Sequence, residues 1–65
     1  MKTKHYIIPD SSRAVRRGDA LVSFQQNKVR KSEQRDHEED ILGWALHNEH
    51  RGTDGNRGCL VVLKE

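Results

Sequence analysis

Residues 32–50 read SEQRDHEEDILGWALHNEH, the longest stretch with the marks of a single element. Its order of charges is that of a helix. Ser32 or Asp36 supplies an N-cap, and Asp36 with Glu39 has capping-box spacing. Glu38, Glu39 and Asp40 fall where the helix dipole favours acids, and His50 and Arg51 fall where it favours cations. Gly52 follows as a stop. Ile41, Leu42, Trp44, Ala45 and Leu46 form an apolar stripe about 200° wide at 100° per residue. Gly43 costs such a helix about 1 kcal/mol relative to alanine, and its missing side chain permits a close approach. The expectation is one helix over about 33–50.

Downstream, residues 52–58 read GTDGNRG, a loop by composition. The glycines at 52, 55 and 58 match neither phosphate-binding pattern. They also precede a strand rather than a helix N-terminus, so the segment is a connector. Cys59 to Leu63 is a short unbroken apolar run with two valines, read as a strand over 59–63. A run without alternation suggests cover on both faces. One helix supplies one face only, which points toward a homodimer.

Upstream, Lys4 to Ile8 is rich in β-formers and stopped by Pro9, and Ala20 to Phe24 is a second β-run. Residues 25–28 turn the chain, leaving Val29 to Lys31 as a short edge strand or loop. Ser12 to Arg17 stays open between helix and strand. The expected fold is therefore α+β, one domain over residues 1–65. It is a mainly antiparallel sheet of three or four strands with the helix packed on one face.

Composition bounds the function. The chain has 65 residues, 32% hydrophobic and 34% charged, with mean hydropathy −0.99. That is one small domain with no apolar run long enough to span a bilayer. The basic start is followed by no apolar segment of secretory type, and the single cysteine makes no internal disulfide; both fit a cytoplasmic protein. The net charge of +2 hides an asymmetry. Residues 1–35 hold nine bases and three acids, whereas residues 36–65 hold three bases and seven acids. A basic half suggests a polyanionic partner, though the two halves also neutralise each other if they fold together.

The chemistry-bearing residues are few. His47 and His50 sit three apart, and Cys59 with His37 or His5 would complete a zinc set. No Cys-x-x-Cys pair supports it, so no metal and no cofactor is expected. His37, Glu38, Glu39 and Asp40 read as a solvated turn, and Cys59 as core, so the chain is not expected to be an enzyme. The basic residues remain. Arg13, Arg16 and Arg17 share one face if their segment is helical, and Lys28, Arg30, Lys31 and Arg35 form a second cluster. Arginine's planar fork suits phosphate. Aromatics are sparse in this half, which favours duplex backbone over stacking on single strands.

Two functions follow. The first is a nucleic-acid-binding accessory or regulatory module using the basic half on phosphates. The second is a protein-interaction module, an inhibitor or adaptor of a host protein, anchored on Trp44 with Leu46 or on the C-terminal strand. Small, highly charged single domains are common among phage and mobile-element accessory proteins, an association by size alone.

Overall fold

A computed structural model describes residues 1–64, and among them there is no α-helix. The chain forms six strands: β1 (Thr3–Ile8), β2 (Ala20–Gln25), β3 (Lys28–Lys31), β4 (Ile41–Ala45), β5 (His50–Arg51) and β6 (Arg57–Leu63). They lie in the order β1-β3-β2-β4-β6-β5, and β6 pairs back onto β1. The result is a closed five-stranded barrel, β1-β3-β2-β4-β6, with the short β5 beside one end of β6. Closure runs through the chain's two ends, Thr3 opposite Val62 to Ile8 opposite Arg57. All pairings are antiparallel except β1 with β3, which meet in parallel at Ile7 and Lys28.

The expected α+β fold is thus corrected: in place of three or four strands under one helix there is a closed barrel, with β3 paired on both edges rather than at an edge, and the helix is lost in residues 33–50. Residues 33–36 make a turn, Glu38–Asp40 a single turn of 3₁₀ helix, and Ile41–Ala45 the strand β4. Asp36 caps no helix. Its carboxylate accepts the Glu33 N–H at 2.8 Å and grips the Arg30 guanidinium. His37, ahead of the 3₁₀ turn, makes no side-chain cap.

The physical reason is visible in the stripe itself. Residues 41–46 are apolar without a break, apart from glycine, and 200° is too wide for a helix that covers one face. As a strand, the same residues bridge two others, with Leu21 opposite Gly43 on one side and Gly43 opposite Leu63 on the other. Gly43 does permit a close approach, but between strands. A Cβ there would collide with the Val62 carbonyl oxygen and lie 2.9 Å from Val61 Cγ1. Helical stability in proteins comes mostly from packing one apolar face, whereas β4 joins β2 to β6 and lets the barrel close.

The other strands lie where β-formers stand. The Gln25–Lys28 pair closes a two-residue turn, with Asn27 at φ 60°, a left-handed conformation asparagine tolerates. β2 changes register against both neighbours, between Ser23 and Gln25 and between Leu21 and Val22. Such bulges bend a strand sharply enough to turn a barrel corner. In β1, Tyr6 and Ile8 point inward; in β6, Cys59 and Val61 do, with Leu60 and Val62 half-buried outside. The run 59–63 therefore alternates after all, which the sheet's closure explains. Leu21, Val29 and Ala45 complete the interior, joined by Val15, which is only 1% exposed. Val15 belongs to no strand: the segment between β1 and β2 supplies a plug for the barrel.

Candidate nucleic-acid interface

Residues 10–19 are neither helix nor strand, so the helical face expected to align Arg13, Arg16 and Arg17 does not exist. The segment is nevertheless fixed, and its anchor is Arg57 at the start of β6. Arg57 Nε and Nη2 donate to the two carboxylate oxygens of Glu49 at 2.6 and 2.7 Å. Nη1 donates to the carbonyls of Pro9 and Ser12, each at 3.0 Å. Nη2 donates again, to the Arg13 carbonyl at 3.0 Å. All five guanidinium donors are used. The ion pair is largely shielded, with side-chain exposure of 12% for Arg57 and 20% for Glu49.

Glu49 does more than hold Arg57. It accepts the Val15 N–H at 2.6 Å, and its own N–H donates to the Val15 carbonyl at 2.9 Å. Hydrogen bonding from Arg57 holds the Glu49 carboxyl below its ordinary range, against the opposing effect of burial. The same bond raises Arg57 above the usual guanidinium value. Further along, the Arg17 N–H donates to Asn48 Oδ1 at 2.8 Å, the Gly18 N–H donates to the Ala45 carbonyl at 2.8 Å, and the Ala45 N–H donates to the Asp19 carbonyl at 2.9 Å. The loop's backbone is thus stitched along residues 45–49, and its polar groups are spent inward.

Its side chains are not. Arg13, Arg16 and Arg17 are all exposed, and none enters an ion pair among the described residues. Arg13 lines an open groove of about 330 Å³ with Ser32, Glu33, Gln34 and Arg35. Ser12 Oγ accepts the Lys31 N–H at 3.0 Å, which seats the loop against the end of β3.

The remaining bases divide. Arg30 makes a two-pronged pair with Asp36, both contacts at 3.0 Å. That hydrogen bond brings the Asp36 carboxyl down to about 2, helped by the Glu33 N–H. Lys31 Nζ lies 3.3 Å from Asp19, whose carboxylate also accepts the Arg16 N–H. Arg35 is 75% exposed, with a loose partner in Glu33 at 3.1 Å. Lys28 is half-buried at the opposite end of β3, beside Ile7. No ion pair among the described residues joins these bases to Glu38, Glu39 or Asp40. The fold therefore gathers Arg13 with Arg35, holds Arg16 and Arg17 nearby on the same loop, and commits Arg30 and Lys31 to structure.

The other singled-out residues take simple places. Trp44 is 40% exposed on the barrel's outer face, opposite Ala20 and Val62, and Leu46 beyond it is half-buried. Cys59 is fully buried, and that burial pushes its thiol above the ordinary value. No group of three or more histidine, cysteine, aspartate or glutamate side chains is placed to hold a metal among the described residues. His37 stands apart in an open groove of about 390 Å³ with Glu38, Glu39 and Lys64. No helix of the described chain is long and apolar enough to cross a membrane.

The Arg57–Glu49 anchor is the part that sequence reasoning missed. Arg57 lay in a glycine-rich loop and Glu49 at a supposed helix end, eight residues apart. Only the β5–β6 pairing of Arg51 with Arg57 brings them together. Comparison with known proteins finds no matching family model, no matching curated protein and no matching solved structure.

Proposed function

We propose that the chain is a small nucleic-acid-binding module in which the loop of residues 10–19 meets phosphates through Arg13, Arg16 and Arg17, with Arg35 beside Arg13. The observation that carries this reading is the contrast between backbone and side chains in that loop. The backbone is anchored by Arg57 and Glu49, while three arginines project without an acidic partner among the described residues. A fixed backbone lowers the entropy cost of binding, and arginine delivers a forked pair of hydrogen bonds to phosphate.

The test is the salt dependence of binding to unrelated duplexes. Each phosphate contact contributes about 0.9 to the slope of log K against log salt. Replacing Arg16 and Arg17 together by alanine is expected to lower affinity for all sequences alike and reduce the slope by roughly two. Both side chains are exposed, and both residues anchor the loop through backbone groups that alanine keeps, so the melting temperature stays put. A slope unchanged by the substitutions sinks the reading.

One observation favours a second reading, a protein-interaction module. Trp44, 40% exposed and flanked across the strands by Val62, has the character of an interface anchor. On that reading Trp44→Ala leaves the barrel folded, abolishes association with a protein partner, and the association is insensitive to salt.

A further inference from the structure

His5 and His50 face each other across β6. Their Nε2 atoms are 3.1 Å apart, and their ring centroids are 5.2 Å apart with the planes inclined at 38°. His5 lies on β1 and His50 on β5, which border β6 on its two edges. Their meeting point lies over Gly58, which pairs with Ile7 on one side and His50 on the other. Glycine leaves room there for the two rings. A Cβ at position 58 would lie 2.6 Å from His5 Nε2 and 3.3 Å from His50 Cε1. Gly58 is buried while both histidines are exposed, so the site has a backbone floor and an open roof.

We propose that His5 and His50 form a two-imidazole site for a divalent transition metal, with water completing the coordination. Metal–imidazole bonds run to about 2.0–2.1 Å, so nitrogens 3.1 Å apart subtend roughly 100° at the metal. That angle lies between the square-planar and tetrahedral values, and suits copper, nickel or zinc. Without metal, one ring donates its Nε2–H to the Nε2 of the other; when the cation binds, the donor ring loses that proton to water and takes one up at Nδ1, so both imidazoles ligate through Nε2 as neutral Nδ1–H tautomers. The exposed positions spare the metal full dehydration. The chelate also ties β1 to β5 across β6, linking the barrel wall to the short strand outside it.

This site is separate from the arginine loop, and it differs from the His47, His50 and Cys59 set that the sequence offers but does not support. His47 is exposed in the link between β4 and β5, Cys59 points into the core, and His37 is in the groove with Lys64. The useful partner of His50 is His5, forty-five residues away in sequence.

The experiment is a titration of the whole chain with Cu²⁺, Ni²⁺ or Zn²⁺ in a non-coordinating buffer. It is followed by calorimetry and by NMR of the histidine ring protons. One equivalent is expected to bind per chain, tightest for Cu²⁺, to perturb the His5 and His50 rings and to raise the melting temperature. His5→Gln and His50→Gln, both at exposed positions, are each expected to weaken binding at least tenfold, whereas His37→Gln and His47→Gln leave it unchanged. The proposal is overturned by absence of binding at millimolar metal. It is equally overturned by affinity that survives both ring substitutions, or by perturbation confined to the amino terminus, His37 or His47.

Discussion

Two arginines in this barrel make the same two-pronged contact with a carboxylate and do different work. Arg30 grips Asp36, six residues away, and adds a contact of 3.4 Å to the Lys31 carbonyl beside it. Its reach is local: it shapes the turn after β3. Arg57 grips Glu49 and then reaches Pro9, Ser12 and Arg13, more than forty residues earlier in the chain. It binds three carbonyls that no strand ladder satisfies, and so defines where the loop lies. The chemistry of the fork is equal in both; what differs is the chain entropy that each contact confines. An ion pair that closes a short turn decorates the fold, and one that ties distant segments specifies it.

The sharpest way to break the comparison is to remove each arginine. Arg57→Ala leaves the Glu49 carboxylate without its main partner in a mostly shielded place and frees three loop carbonyls. The expected loss is about 2–4 kcal/mol. A chain of this length has roughly 3–10 kcal/mol in all. Urea unfolding is expected to show a midpoint well below that of the parent chain. Arg30→Ala is expected to lower the midpoint by less, because Asp36 keeps the Glu33 N–H as a partner and the turn it holds is short. Equal losses from the two substitutions would erase the distinction.

Acid unfolding sharpens it further, with the smallest effect. Glu49 and Asp36 both sit below their ordinary values, Glu49 chiefly through Arg57 and Asp36 chiefly through Arg30. The unfolded chain binds protons at the ordinary, higher values, so it holds more protons than the native state across the intervening range. Stability is therefore fully present above the ordinary carboxyl range and falls as pH drops through it. For Asp36 the window runs from 3.8 down to about 2. Urea midpoints measured between pH 6 and pH 2 are expected to fall along this limb. In Arg30→Ala the part of the fall below pH 4 is expected to flatten while the rest remains.

Much of the barrel was legible, element by element. Residues 4–8, 20–24 and 59–63 lie inside β1, β2 and β6, because β-branched and aromatic residues bounded by turn residues have little else to form. What failed was residues 33–50, where acids before and cations after an apolar run imitate a helix's charge order. Those charges have other tasks: Asp36 serves Arg30, and Glu49 serves Arg57. The width of the stripe was the available warning. A run apolar on every side and broken by glycine suits a strand whose neighbours lie on both edges. The basic half was legible as composition only. Which of its members are free depends on acids scattered along the chain, at Asp19, Glu33 and Asp36, and sequence gives no rule for such pairings. The meeting of His5 and His50 was equally hidden, since it depends on register across three strands and on the glycine at 58.

The seam between β1 and β6 also governs how the molecule comes into being. Thr3 pairs with Val62 and Lys2 accepts a hydrogen bond from Leu63, so the first strand's antiparallel partner is the last to be synthesised. During translation β1 leaves the ribosome with Tyr6 and Ile8 uncovered, and only its parallel contact with β3 is within reach. The β2–β3 hairpin forms early, from neighbours in the chain, while the barrel waits for its final stave. Folding dominated by such distant pairings runs on the order of milliseconds to seconds rather than microseconds. The same arrangement sets Thr3 beside Val62, so a chain break in the loop at 52–56 would detach β6 from β5 while leaving its register on β1 and β4 unchanged.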